Sequence, residues 1–163
     1  MSEAPDGGHD SRSDEDQRVE SSPPAPDGDA YSWYRRGLDL LGRGSAAAAA
    51  QLLQRAAEAE PGSRSVLEAL GRAQFDAGRY AAAADSFRQI VEASPSDDYA
   101  HFGLGLALAR VGNPAAAAEL LALAAAMRPA RPHYTAALRG VRATLRARAD
   151  SGSPPPAAGE TPH

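Results

Sequence analysis

The amino-acid sequence predicts an all-α fold, a stack of three helix–turn–helix units closed by a seventh helix. Three observations predict it. First, the same residues recur at a spacing of 34, among them Gly37, Gly71 and Gly105; Gly44, Gly78 and Gly112; Ala49, Ala83 and Ala117; Pro61, Pro95 and Pro129. Self-similarity at such a period marks solenoids, in which each unit buries its apolar face only against its neighbours. Second, leucines and aromatics between those marks fall at helical spacings. Third, Asp29, Ser63 and Asp97, one residue ahead of each unit, are all good N-cap types.

Residues 1–29 carry nine acids, two arginines and no apolar periodicity. Such a composition cannot offset the entropy of ordering, so disorder is expected there. The first unit spans 30–63. Trp33, Gly37, Leu40 and Leu41 mark its first helix, which Gly42 to Gly44 end. Ser45 is the expected N-cap of the second helix, whose buried stripe is Leu52, Leu53, Ala56 and Ala57. Pro61 and Gly62 stop it.

The second unit spans 64–97. Leu67, Leu70 and Gly71 open its first helix, Gly78 breaks the pattern, and Tyr80, Ala83, Phe87 and Ile90 carry the second helix toward Pro95. The third spans 98–131. Phe102, Leu104, Leu106 and Leu108 belong to its first helix. Asn113-Pro114 pairs an N-cap with proline at the first helical position. Leu120, Leu121, Leu123 and Ala124 are expected to pack inward until Pro129. In 132–149, Tyr134, Leu138, Val141 and Leu145 share one helical face and Arg139, Arg142 and Arg146 another. An apolar face backed by a charged one suits the cap of a helical stack. Residues 150–163, with Pro154-Pro155-Pro156, read as a disordered proline-rich tail.

Composition narrows the function. There is no cysteine among the 163 residues, so disulfides and thiolate metal sites are excluded. No apolar run reaches the roughly 18 residues of a membrane span. The first ten residues lack the apolar core of a signal peptide. A cytoplasmic protein is therefore expected. All 17 basic residues are arginine. With abundant Ala, Gly and Pro, this reads as the codon bias of a GC-rich, bacterial genome.

The repeating pattern resembles the tetratricopeptide repeat, with signature W-x2-L-G-x2-Y, A-x3-F and P. The middle copy reads Leu67-x2-Leu70-Gly71-x2-Gln74, Ala83-x3-Phe87, Pro95; the first reads Trp33-x2-Arg36-Gly37-x2-Leu40, Ala49-x3-Leu53, Pro61; the third reads His101-x2-Leu104-Gly105-x2-Leu108, Ala117-x3-Leu121, Pro129. Arg36 stands where leucine is expected and Gln74 where tyrosine is, with Phe75 expected to fill part of the missing volume. Close packing explains the small residues: Gly37, Gly71 and Gly105 let paired helices approach, with Ala49, Ala83 and Ala117 expected opposite them.

The resemblance implies a right-handed superhelical solenoid whose concave face is built from the first helix of each unit. It places Tyr31, Tyr34, Leu38 and Leu41 in the groove from the first copy. The second gives Ser65, Glu68, Arg72, Phe75 and Asp76, and the third Tyr99, Phe102, Leu106 and Arg110. Phe75 and Leu106 are read as core. For Tyr34, Arg72 and Phe102, groove exposure and packing between helices both stay open. One family subtype grips a C-terminal carboxylate with lysines and asparagines. Tyr34, Leu38, Tyr99 and Gly103 occupy those positions, so that ligand is not expected.

No catalytic set emerges. His9 and His163 lie in the tails, His133 starts the cap, and His101 holds the signature tryptophan position, where a packed structural role is expected. No two share a metal-ligand spacing. Gly103-Leu104-Gly105 is a lone G-x-G inside a helix. Asp97-Asp98 sits at a helix start, where the macrodipole favours acids. The six arginines from Arg128 to Arg148 admit three readings: a solvated cap face, a site for an acidic partner including nucleic acid, or a surface for the acidic segment at the N-terminus. The expected function is non-catalytic binding of a peptide or protein segment in the groove, without cofactor or metal. The alternatives are self-association or an acidic partner on Arg139, Arg142 and Arg146.

Overall fold

The computed structural model describes residues 29–152. Seven helices follow one another: α1 (Ala30–Gly42), α2 (Ala46–Ala59), α3 (Arg64–Asp76), α4 (Tyr80–Ala93), α5 (Asp98–Arg110), α6 (Pro114–Met127) and α7 (Pro132–Asp150). The first helices of the units start at residues 30, 64 and 98, and α7 at 132, so the 34-residue spacing of the sequence is carried into the helix starts. Of the segments 1–29 and 150–163, expected to be disordered, residues 1–28 and 153–163 lie outside the described residues, whereas Asp29 caps α1 and Asp150 is the last residue of α7.

The turn within each unit is built the same way. Gly44, Gly78 and Gly112 take φ of 81°, 78° and 90°, the left-handed region that L side chains avoid. The amide after each glycine donates back to the preceding helix: Ser45 to the Leu40 carbonyl at 2.9 Å, Arg79 to Gln74 at 2.8 Å, and Asn113 to Leu108 at 2.9 Å. This is the Schellman closure, and it leaves its last residue at the N-cap of the next helix.

Side-chain caps are used selectively. Asp29 accepts from the Ser32 amide at 2.9 Å, Asp97 from Ala100 at 3.0 Å and Asn113 from Ala116 at 3.2 Å. Ser45 and Ser63 stand at N-cap positions but make no side-chain cap bond, contrary to expectation. Their carbonyls alone engage the helix, accepting from Ala49 and Leu67.

Consecutive helices pack pairwise down the stack. Beyond that, α1 touches α3, α3 touches α5 and α5 touches α7, while α2 and α4, or α4 and α6, do not touch. A row whose members meet is the inside of a curve. The odd-numbered helices therefore line the concave side and the even-numbered ones splay on the convex side.

The repeat glycines act through the second helix of their own unit. A Cβ on Gly37 would stand 2.6 Å from Leu53 Cγ, on Gly71 2.8 Å from Phe87 Cε2, and on Gly105 2.8 Å from Leu121 Cγ. The nearest facing group is thus the large residue four positions after each alanine, and at Gly105 the Ala117 carbonyl oxygen follows at 3.3 Å. Ala49, Ala83 and Ala117 are fully buried nearby. Gly103 adds a contact that the repeat does not contain: its Cβ would lie 2.6 Å from Phe87 Cε1. The Phe87 ring is held between Gly71 of its own unit and Gly103 of the next.

Two expectations about the core are corrected. Leu123 is 48% exposed rather than packed inward. Only Glu119 is charged in α6, so its sequence gives no polar face to orient the helix. Burial falls on Ala117, Leu121 and Ala124, and Leu123 lies about 200° around the helix from Leu121. Phe75 does not fill the place of the missing tyrosine. Gln74 is itself buried and accepts from the Ser86 hydroxyl at 2.6 Å.

Candidate binding groove

The concave row places α3 and α5 side by side, and a cleft of about 290 Å³ opens between them. Phe87, reaching through from α4, and Gly103 form its floor. Phe75, Tyr99, Phe102 and Leu106 form its walls, with Arg72 and Asp76 at its rim. Both rim residues are exposed and one helical turn apart. Among the described residues neither makes an ion pair.

The aromatic walls are braced. Tyr99 meets Phe87 edge-on at 6.2 Å and Phe102 at 6.2 Å. Phe102 stacks on Tyr134 of the cap at 4.6 Å and meets His133 edge-on at 5.2 Å. Phe75 meets Tyr80 edge-on at 5.1 Å, and the Arg110 guanidinium covers both rings at 5.6 and 5.3 Å while donating to the Tyr80 hydroxyl at 3.0 Å. Burial pushes the Tyr99 phenol above its ordinary range, against the opposing pull of the Arg72 charge. Its hydroxyl remains a hydrogen-bond donor at neutral pH.

Of the groove residues expected from sequence, Arg72, Asp76, Tyr99 and Phe102 come together here. Arg110 lies behind the wall, as a brace for Phe75. Glu68 is half-buried and bonded to Arg64 at 2.9 Å, outside the cleft lining. Tyr34 is half-buried against the α2–α3 core, and Tyr31 is 64% exposed at the start of α1, accepting from Arg35 at 3.2 Å. Phe75 and Leu106, read as core, are half-buried and line the cleft as well. Phe87 was missed, and Gly103 was read only as a departure from the carboxylate-gripping subtype. The one available signal was Gly103, a glycine whose equivalents in the other units are Ala69 and Arg35.

His101 is buried, with Nδ1 2.8 Å from the Asp97 carbonyl oxygen, in a packed structural position. Arg139, Arg142 and Arg146 are exposed on α7, away from the cleft. Two further clefts, of about 320 and 450 Å³, run along the α2–α4 side. They carry no aromatic ring: Gln54, Glu58 and Gln89 stand beside Leu67 and Leu70 in the first, and Arg64, Gln89 and Glu92 beside Leu67 and Ile90 in the second. Among the described residues no group of His, Asp or Glu could hold a metal ion, and no helix is long and apolar enough to cross a membrane.

Comparison with known proteins agrees with this architecture. The tetratricopeptide repeat family model matches residues 34–98 and 69–132. Among solved structures, the tetratricopeptide domain of Sgt2 from Aspergillus fumigatus superposes with a TM-score of 0.68 at 19% identity, over 88% of this chain and 94% of that one. The first such domain of Spaghetti (RPAP3), bound to the HSP90 peptide SRMEEVD, gives 0.67 at 18% identity over 72% and 93%. MamA from Desulfovibrio magneticus RS-1 gives 0.69 at 20% identity over 72% and 67%. A comparison with curated protein sequences returned no match. Three units in one register, a capping helix and a family match over most of the described residues lead to one conclusion: the chain belongs to the tetratricopeptide repeat family.

Proposed function

We propose that the chain is a non-catalytic protein-interaction module that binds a peptide or protein segment in the α3–α5 cleft. The observation that carries this is the pairing of braced aromatic walls with an unpaired Arg72 and Asp76 at the rim. Rigid rings supply contact area at little entropic cost, and aromatic and arginine side chains concentrate binding energy at interfaces. The relative bound to an HSP90 peptide supports peptide recognition as the use of such a groove. The ligand differs here, because Tyr34, Leu38, Tyr99 and Gly103 hold the positions at which the resemblance would require lysines and asparagines. The test is capture from host lysate by the wild type and by Arg72→Glu. Arg72 is exposed and unpaired, so the variant should melt at the wild-type temperature. A partner retained by the wild type and lost by the variant supports the groove; equal recovery moves binding elsewhere.

A second reading is self-association, favoured by the convex face of α6. Leu123 is exposed where the other units carry Arg55 and Gln89, and Met127 where they carry Ala59 and Ala93. Light scattering on the eluting protein separates the readings. A dimer that becomes monomeric on Leu123→Gln supports self-association.

A further inference from the structure

The arginines of the C-terminal end are not used alike. Arg128 pairs with Asp98 at 3.4 Å, and the Arg131 guanidinium covers the Tyr134 ring at 5.8 Å. Arg139, Arg142 and Arg146 have no acceptor among the described residues. Elsewhere in the fold three arginines pair within one turn, Arg43 with Asp39 at 3.2 Å, Arg64 with Glu68 at 2.9 Å and Arg88 with Asp85 at 2.8 Å, while the arginines without an ion pair, such as Arg55 and Arg72, do not form a stripe of three on one helix. On α7 the three arginines instead sit three and four residues apart with no acid on the helix before Asp150. Like charges at those spacings weaken a helix. A counter-charge from outside it would relieve this.

The same chain holds a counter-charge. Residues 98–152 contain seven arginines against three acids, whereas residues 1–28 contain eight acids against two arginines. Four of those acids, Asp14, Glu15, Asp16 and Glu20, lie within seven positions. Reach is sufficient. From α1 to α7 the stack advances by three helix spacings, roughly 30 Å. The arginines lie a further distance of about 10–20 Å along α7, and Asp14, Glu15 and Asp16, which precede Asp29 by 13 to 15 residues, span about 43 Å or more when extended.

We propose that the acidic segment around Asp14 to Glu20 docks on the Arg139–Arg142–Arg146 face of α7 in the same molecule. Attachment to the fold raises its effective concentration there above that of a separate acidic partner. Contact through exposed charges makes docking salt-sensitive.

The absence of cysteine makes the test direct. A nitroxide is attached to Ser13→Cys in the full chain, and amide signals of α7 are followed by NMR. The expected result is loss of signal for residues 139–148 at about 20 mM salt, with signal regained at about 500 mM. The same loss should vanish in Arg139→Gln, Arg142→Gln, Arg146→Gln, whose helix content is checked by circular dichroism. Undiminished signals at low salt overturn the proposal. So does loss that persists in the triple variant. A third arm mixes nitroxide-labelled chains without ¹⁵N with ¹⁵N-labelled chains lacking the nitroxide. Signal loss in that mixture would assign the face to a second copy and overturn docking within one molecule.

Discussion

The Ser86 hydroxyl donates to Gln74 Oε1 at 2.6 Å, inside the second unit, with both side chains buried. The equivalent positions in the first unit are Leu52 and Leu40, and in the third Leu120 and Leu108. Two departures from the repeat thus compensate each other. A buried amide oxygen left alone costs about 1–3 kcal/mol, while replacing both partners by apolar groups can be nearly neutral. Ser86→Ala should therefore lower stability by about that amount. Gln74→Leu with Ser86→Leu should cost clearly less than the sum of the two single changes. Urea unfolding of Ser86→Ala and of the wild type, the two single leucine variants and the double variant checks this; additive losses in the leucine set would contradict it.

Two helical glycines should respond oppositely to the same change. A methyl on Gly103 would press into the Phe87 ring, itself pinned by Gly71 on its other side. Gly103→Ala should destabilise by about 1–3 kcal/mol. Gly140, within α7, has nothing within 4 Å of its added Cβ. Gly140→Ala should stabilise by about 0.5–1 kcal/mol through helix propensity. Melting temperatures decide both, and matching signs would contradict the packing described.

The cap is tied to the third unit by Tyr134, fully buried, whose hydroxyl donates to Asp98 at 2.7 Å. Burial, then Asp98, raise the phenol well above its usual range, so it stays a donor. Burial pushes Asp98 upward, but the Tyr134 bond and the Arg128 charge outweigh it and the carboxyl is held below its usual 3.8. A depressed carboxylate stabilises the fold above its unfolded pKa and loses that contribution as pH falls through the folded one. Asp97 is depressed too, burial being outweighed by Arg64 and the Ala100 amide. Stability should therefore fall below about pH 5. Asp98→Asn should be less stable at pH 7, with the gap closing toward pH 3. Tyr134→Phe should lose about 1–2 kcal/mol at pH 7. A constant Asp98→Asn gap across that range would contradict the assignment.

Much of the fold was legible because the repeat reports on itself three times. Glycine, proline and cap positions fix the register without knowledge of packing, and the helix starts follow it. Orientation was legible only where a helix carries a polar face. In α6 nearly every residue is apolar, so Leu123 could not be assigned from periodicity. The groove was half legible. Arg72, Asp76, Tyr99 and Phe102 sit on the helices that line the concave side. Phe87 comes from an outer helix, and it reaches the cleft only because Gly71 and Gly103 leave room for its ring. That is a relation across two units, which no single-unit pattern contains.

The central claim is that partners enter at the α3–α5 cleft. Photo-crosslinking with benzoylphenylalanine at position 72, compared with position 89 on the convex side, tests it most directly. Both sites are exposed, so both variants should fold. The account predicts a discrete crosslinked product from position 72, absent from position 89 and suppressed by adding Asp76→Arg. Crosslinking from position 89 alone, or equally from both, would contradict it.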